Sequence, residues 1–132
     1  MIMLAQSLRH ARLRAIAMAL DSAAQGGQIR VYAAPRVPLN ATPGAPVLAE
    51  LYLANPCTLS LAAGLLTLKA PPERLCLQTG VAHWARLLDG DGHTLLDVDI
   101  GLLGSDAELQ LDRIDLLAGA AVRITSLAFY EP

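Results

Sequence analysis

Aromatic side chains are scarce in this sequence: one tryptophan, three tyrosines and one phenylalanine make up 4% of it. Tyr32, Tyr52, Trp84, Phe129 and Tyr130 are scattered along the chain, which argues against a stacking platform for nucleic-acid bases. Charge is thin as well. Charged residues are 17% of the total, ten Lys+Arg against twelve Asp+Glu, for a net charge of −2. There is no basic stripe to neutralise phosphates, so nucleic acid is not an expected partner. Two cysteines, Cys57 and Cys76, are too few for a disulfide framework and read as reduced core thiols of a protein made in a bacterial cytoplasm. No apolar run approaches the roughly 18 residues of a membrane span, and no membrane partner is expected. Arg9, Arg12 and Arg14 precede the apolar run Ala15–Leu20, which stops at Asp21. That run is shorter than the roughly 7–15 residues of a secretory signal.

Motifs for chemistry are missing too. Asp89-Gly90-Asp91-Gly92 opens like a calcium loop, but the sixth position from Asp89 is Thr94 and the twelfth is Ile100, where an EF-hand needs glycine and glutamate. Turn chemistry explains it better, and no metal is expected. His10, His83 and His93 fall at no zinc-ligand spacing. Ser60, Ser105 and Ser126 lack the glycine frame of a nucleophile elbow. Gly26-Gly27 follows an apparent helix instead of opening one, so it makes no phosphate cradle. Asp97 and Asp99 share one face of a strand pattern and read as a solvated face, not a catalytic pair. No catalytic residue and no cofactor is expected.

What is abundant is apolar residues, 54% of 132, with a mean hydropathy of +0.42. That length is one domain. Surplus apolar side chains on a small domain imply contacts with other chains. Residues 4–24 have helical composition, with Leu13, Ile16, Ala17 and Leu20 on one face and Leu4 and Leu8 on another. One apolar face suits a helix lying across its own sheet, and the second patch would suit a helix docked on a neighbouring subunit. After Gly26-Gly27 the period changes to two, as in strands. Runs at 28–34, 47–54, 64–70, 75–78, 81–88, 94–100, 108–112 and 121–130 fit strands, and 81–88 with 94–100 forms a hairpin around Asp89-Gly90. Four prolines, Pro35, Pro38, Pro43 and Pro46, make 35–46 an extended loop, read as a contact arm. Trp84 reads as a core anchor. Regularly spaced strands with turn signals imply an antiparallel β-sandwich or barrel. The expected organisation is a single domain, residues 1–132. A helix and cap occupy 1–27 and a β-sandwich 28–132.

The order of several pieces resembles a known family. These are Leu8-Arg9-His10-Ala11-Arg12-Leu13-Arg14-Ala15-Ile16 ending at Asp21 and paired glycines; Ile29-Arg30-Val31-Tyr32 before the proline loop; Leu48-Ala49-Glu50-Leu51 leading to Asn55-Pro56; Gly64-Leu65-Leu66-Thr67-Leu68; Ala82-His83-Trp84-Ala85-Arg86 with Asp89 and Gly92; and Ala121-Val122-Arg123-Ile124-Thr125-Ser126. Together they are similar to small structural proteins of tailed bacteriophages, the head decoration or cement proteins. This chain departs from them in being Leu-rich where they often carry Thr, Ser and Asn.

The resemblance implies a jelly-roll-like sandwich on the outer surface of a virion, bridging major capsid protein subunits, with further copies of itself as a dimer or trimer. It brings no catalytic residues. Expected contact residues are Leu4, Leu8, Tyr32, Val37 and Leu39. A tail or neck structural protein is the first alternative. A carbohydrate-binding jelly-roll module is the second, disfavoured by the few aromatics available for stacking on sugars.

Overall fold

A computed structural model describes residues 5–130. The helix α1 spans Gln6–Leu20 and buries Leu13, Ala17 and Leu20 at i, i+4 and i+7. It stops at Asp21, whose amide donates to the Ala17 carbonyl at 3.0 Å and whose carboxylate accepts the Cys57 amide at 3.0 Å. That second bond fixes the helix end earlier than the compositional limit at residue 24.

Among the described residues twelve strands follow. The first six are β1 (Gln28–Tyr32), β2 (Ala49–Tyr52), β3 (Thr58–Ala62), β4 (Leu65–Leu68), β5 (Arg74–Leu75) and β6 (Gly80–Val81). The rest are β7 (Trp84–Leu88), β8 (Thr94–Leu102), β9 (Leu109–Leu111), β10 (Asp115–Leu116), β11 (Ala121–Val122) and β12 (Ile124–Tyr130). Eight of them form one sheet in the order β2-β1-β7-β8-β9-β12-β4-β3, while β10–β6 and β11–β5 are separate two-stranded ribbons. The fold is therefore mainly β with one N-terminal helix, as the periodicity implies.

The sheet cannot be flat. Its two edge strands, β2 and β3, are joined by residues 53–57 alone. Six chain steps reach at most about 20 Å. Seven spacings of about 4.8 Å would part the edges of a flat sheet by about 34 Å. The sheet must curl, and one apolar cluster fills it, drawing on Leu13 and Leu20 of α1, Ile29 of β1, Leu66 of β4, Leu87 of β7 and Leu127 of β12.

The expectation of purely antiparallel pairing needs one correction. Every neighbouring pair in the sheet is antiparallel except β8 and β9, which run parallel with Ile100 opposite Leu109 and Leu102 opposite Leu111. Parallel neighbours usually need a crossover of a dozen or more residues. Here β9 pairs only with the last residues of β8, so the intervening loop returns only about 7 Å along the strand. Gln110 stitches that loop: its Nε2 donates to the Ser105 carbonyl at 2.7 Å and its Oε1 accepts the Gly104 amide at 3.1 Å. A side chain on Gly101 would collide with Ser105, whose Oγ lies 2.3 Å from the Cβ position.

The helix packs on its own sheet, against β3 and β4. At one end His10 Nε2 accepts the Gly64 amide at 3.1 Å, at the β3–β4 turn. Just beyond the other end, Asn55 Nδ2 donates to the Ala23 carbonyl at 2.6 Å, and Gly90 of the β7–β8 turn sits against the Gln25 carbonyl. The helix thus spans the end of the sheet where these turns lie. Both two-stranded ribbons lie at the opposite end, where β7 and β12 begin. Among the described residues no helix is long and apolar enough to cross a membrane.

Candidate functional site

Two surfaces stand out, a clamped loop on the outer face of the sheet and an apolar end. The clamp begins with register. On the outer face Tyr32 of β1 pairs with Trp84 of β7, Arg30 with Arg86, Arg86 with Asp97 of β8, and Trp84 with Asp99. Tyr32 and Trp84 stack with centroids 4.7 Å apart. The Arg86 guanidinium lies 5.3 Å from the Trp84 ring centroid and meets Asp97 in two bonds, Nε to Oδ1 at 2.9 Å and Nη2 to Oδ2 at 3.1 Å.

The remaining reach of Arg86 goes to the proline-rich loop. Nη1 donates to the Ala41 carbonyl at 2.6 Å and Nη2 to the Pro38 carbonyl at 3.1 Å. Trp84 Nε1 donates to the Ala33 carbonyl at 3.1 Å, and Arg36 bonds Asp99. Residues 35–46 are therefore not a free arm. They fold back on the sheet, and β7 is buried on both faces because the core covers one and the loop the other. The bond to Asp97 pushes the Arg86 pKa up, overcoming the opposite pull of burial, so the guanidinium stays charged beneath the loop. Beside it an open cleft of about 510 Å3 is lined by Leu39, Asn40, Ala41, Thr42, Arg86 and Thr94.

Asp97 corrects the expectation of a solvated carboxylate face. Its side chain is 9% exposed, although Asp99 remains largely open to solvent. The alternating pattern showed that both point away from the core, but it could not show that a distant loop would return to cover one of them.

The expected contact residues are divided. Tyr32 is 3% exposed under the loop and has no surface to offer a partner, a correction. Val37 is half-buried in the loop, whereas Leu39 near its tip and Leu8 on α1 are exposed. Leu4 lies outside the described residues. Trp84 is a buried anchor, as read from the sequence.

The β7–β8 turn gathers Asp89, Asp91 and His93 with ligand atoms within 4.8 Å of one another. Asp89 Oδ1 accepts the amides of Asp91 and His93 at 3.0 and 2.9 Å, and its Oδ2 meets His93 Nδ1 at 3.1 Å. These bonds, the His93 amide foremost, lower the Asp89 pKa. The carboxylate closes the turn. Both cysteines are buried and free, and burial, aided by Asp21, pushes the Cys57 thiol up to about 12. A thiol so protonated is a poor nucleophile.

The second surface is one the sequence reading did not single out. Leu75, Leu77, Val81 and Leu117 are each more than half exposed at the ribbon end of the sheet. The available signal was the lack of charge in 75–80 and 116–122. The strand reading of 75–78 gave its leucines no face, and Leu117 fell in no predicted strand. No protein-family model, no curated protein and no solved structure matches this chain.

Proposed function

We propose that this chain is a structural assembly protein, and specifically a decoration protein that bridges major capsid protein subunits on the outer surface of a tailed-phage head. The observation that carries the reading is the exposure of large apolar side chains at both ends of a well-filled core. Leu8, Met18, Leu59 and Leu65 lie on α1 and the adjoining strands, and Leu75, Leu77, Val81 and Leu117 at the ribbon end. Exposed apolar patches on a folded domain mark sites of contact with other macromolecules. An adhesive domain needs a stiff frame between its contact surfaces. The clamped loop, the helix tied to the β3–β4 turn and to the 53–57 link, and the continuous core supply one.

The finer fold belongs to the same proposal. Divided between β8 and β9, the sheet falls into two four-stranded halves, β2-β1-β7-β8 and β9-β12-β4-β3. In this reading they face each other as the layers of a jelly-roll-like sandwich closed over the shared core. The stacked aromatic pair Tyr32 and Trp84 lies beneath the loop, which disfavours the sugar-binding alternative, since lectin stacking needs an open ring.

Cosedimentation tests the function. Purified protein added to phage heads stripped of decoration should pellet with them at a fixed ratio to the major capsid protein. The decorated heads should survive heating that ruptures bare ones. Failure to pellet, or heads no more heat-resistant with the protein than without it, would overturn the assignment.

A further inference from the structure

The ribbon end offers a surface with its own partner logic. The Cys76 amide donates to the Ala120 carbonyl at 2.7 Å, the Gly119 amide to the Cys76 carbonyl at 2.8 Å, and the Ala118 amide to Thr79 Oγ1 at 3.1 Å. These bonds hold 75–79 beside 117–121. Asp115 pairs with Val81 in the second ribbon. Leu75, Leu77, Val81 and Leu117 therefore share one end, with Ala118, Ala120 and Ala121 also exposed there. No charged residue occurs in 75–80 or 116–122. Exposed clusters of large apolar side chains on single domains are often functional.

The rim carries both signs. Arg123 pairs with Glu73 at 3.5 Å, and Arg74 lies 4.9 Å from the Tyr52 ring centroid. Arg113 and Asp115 are exposed, and among the described residues their side chains make no hydrogen bond or ion pair. They stand two residues apart with opposite charge beside the leucines. A lipid surface selects clustered basic residues, and nucleic acid does too. A mixed rim with an unpaired Arg and an unpaired Asp fits an identical rim turned by a two-fold axis, because an isologous contact sets residue i on j and j on i. An apolar centre with a polar rim is the ordinary anatomy of such interfaces.

We propose that this end is a two-fold interface between two copies of the chain, with the leucines packed at its centre and Arg113 of each copy set against Asp115 of the other. The inference deepens the assembly reading and rests on it for its biological setting. The charges fix the register, and the leucines supply the affinity.

Sedimentation velocity over a dilution series up to about 100 μM tests it. The wild-type chain should sediment as a dimer at the upper end. Leu117→Glu should raise the dissociation constant about 100-fold, as loss of a central anchor does, with an unchanged far-UV spectrum. Leu77→Gln, a milder change, should weaken it in the same direction if Leu117→Glu disturbs folding. Arg113→Asp should weaken pairing by like-charge opposition. Adding Asp115→Arg should restore it to within about threefold. A wild-type chain that stays monomeric, a dimer indifferent to both leucine variants, or a charge swap that restores nothing would overturn the proposal. The head-binding experiment fails separately. A dimer that responds to these variants yet ignores phage heads supports this interface and removes only the capsid assignment.

Discussion

At the scale of single residues, Arg86 and Asp97 do the most to hold the outer face together. A buried ion pair is weak evidence of net stability, since both ions lose water on burial. Removing one partner is another matter, because it strands the other charge under the loop. Asp97→Ala should cost about 3–5 kcal/mol, read as a drop in the urea midpoint. Arg86→Leu combined with Asp97→Leu should recover part of that loss, because neither charge is then left unpaired, and a double-mutant cycle measures the coupling. Cys57 gives a second residue-scale expectation. Its folded pKa, about 12, lies above the ordinary thiol value of 9.0. An unfolded chain therefore releases the proton first as pH rises. The associated stability is fully present below about pH 9 and declines above it, by about 1 kcal/mol per pH unit until the folded thiol itself ionises. Urea midpoints at pH 8, 9 and 10 should fall more steeply for the wild-type chain than for Cys57→Ala, which tests the slope even though the alanine also leaves a small cavity.

At the scale of elements, local pattern and tertiary structure agree where a strand has one buried face and one open one. Alternation located β1, β2, β4, β9 and β12 to within a few residues. Asp-Gly located the β7–β8 turn, where Gly92 has φ +88°. The same pattern did not reveal β3, whose exposed and half-buried residues include Leu59 and Leu61. Its place follows from pairing with β4 through a tight turn at Ala63 and Gly64, both at positive φ. Ala63, at φ 54°, is the one non-glycine residue there among those described. The left-handed region costs an L-residue roughly 1–2 kcal/mol, and glycine escapes most of that at some cost in unfolded-chain entropy. Ala63→Gly should therefore raise stability by about 0.5–1 kcal/mol. A melting temperature at or below that of the wild-type chain would show that the turn is not strained. The proline loop was legible as a loop and illegible as a docked one. Its anchor, Arg86, lies more than forty residues from the carbonyls it binds, and nothing in local composition announces such a pairing.

At the scale of the whole molecule, the short link at 53–57 and the position of α1 decide what kind of object this is. A β-rich class was readable, and so were most of the longer strands. Eight runs were expected where twelve strands form among the described residues, since β3 and β10 lay outside them and 81–88 and 121–130 each divide in two. The curl and the parallel β8–β9 pair were not readable, because both depend on which strands meet and not on what each strand is. Sequence also left open whether the helix packs on its own sheet or on a neighbour's. The structure packs it at home, with Leu13 and Leu20 in the same cluster as Ile29, Leu87 and Leu127. A helix that shares one core with the sheet should unfold with it. Helical ellipticity and the fluorescence of Trp84, the single tryptophan, should then report the same urea midpoint. Leu13→Ala removes a fully buried side chain at the helix–sheet contact and should destabilise by about 2–5 kcal/mol, shifting both signals together. If ellipticity were lost first while Trp84 stayed native, the helix would be a separately docked segment. The two ends of the molecule would then be mechanically uncoupled, and a rigid bridge between apolar surfaces would lose its physical basis.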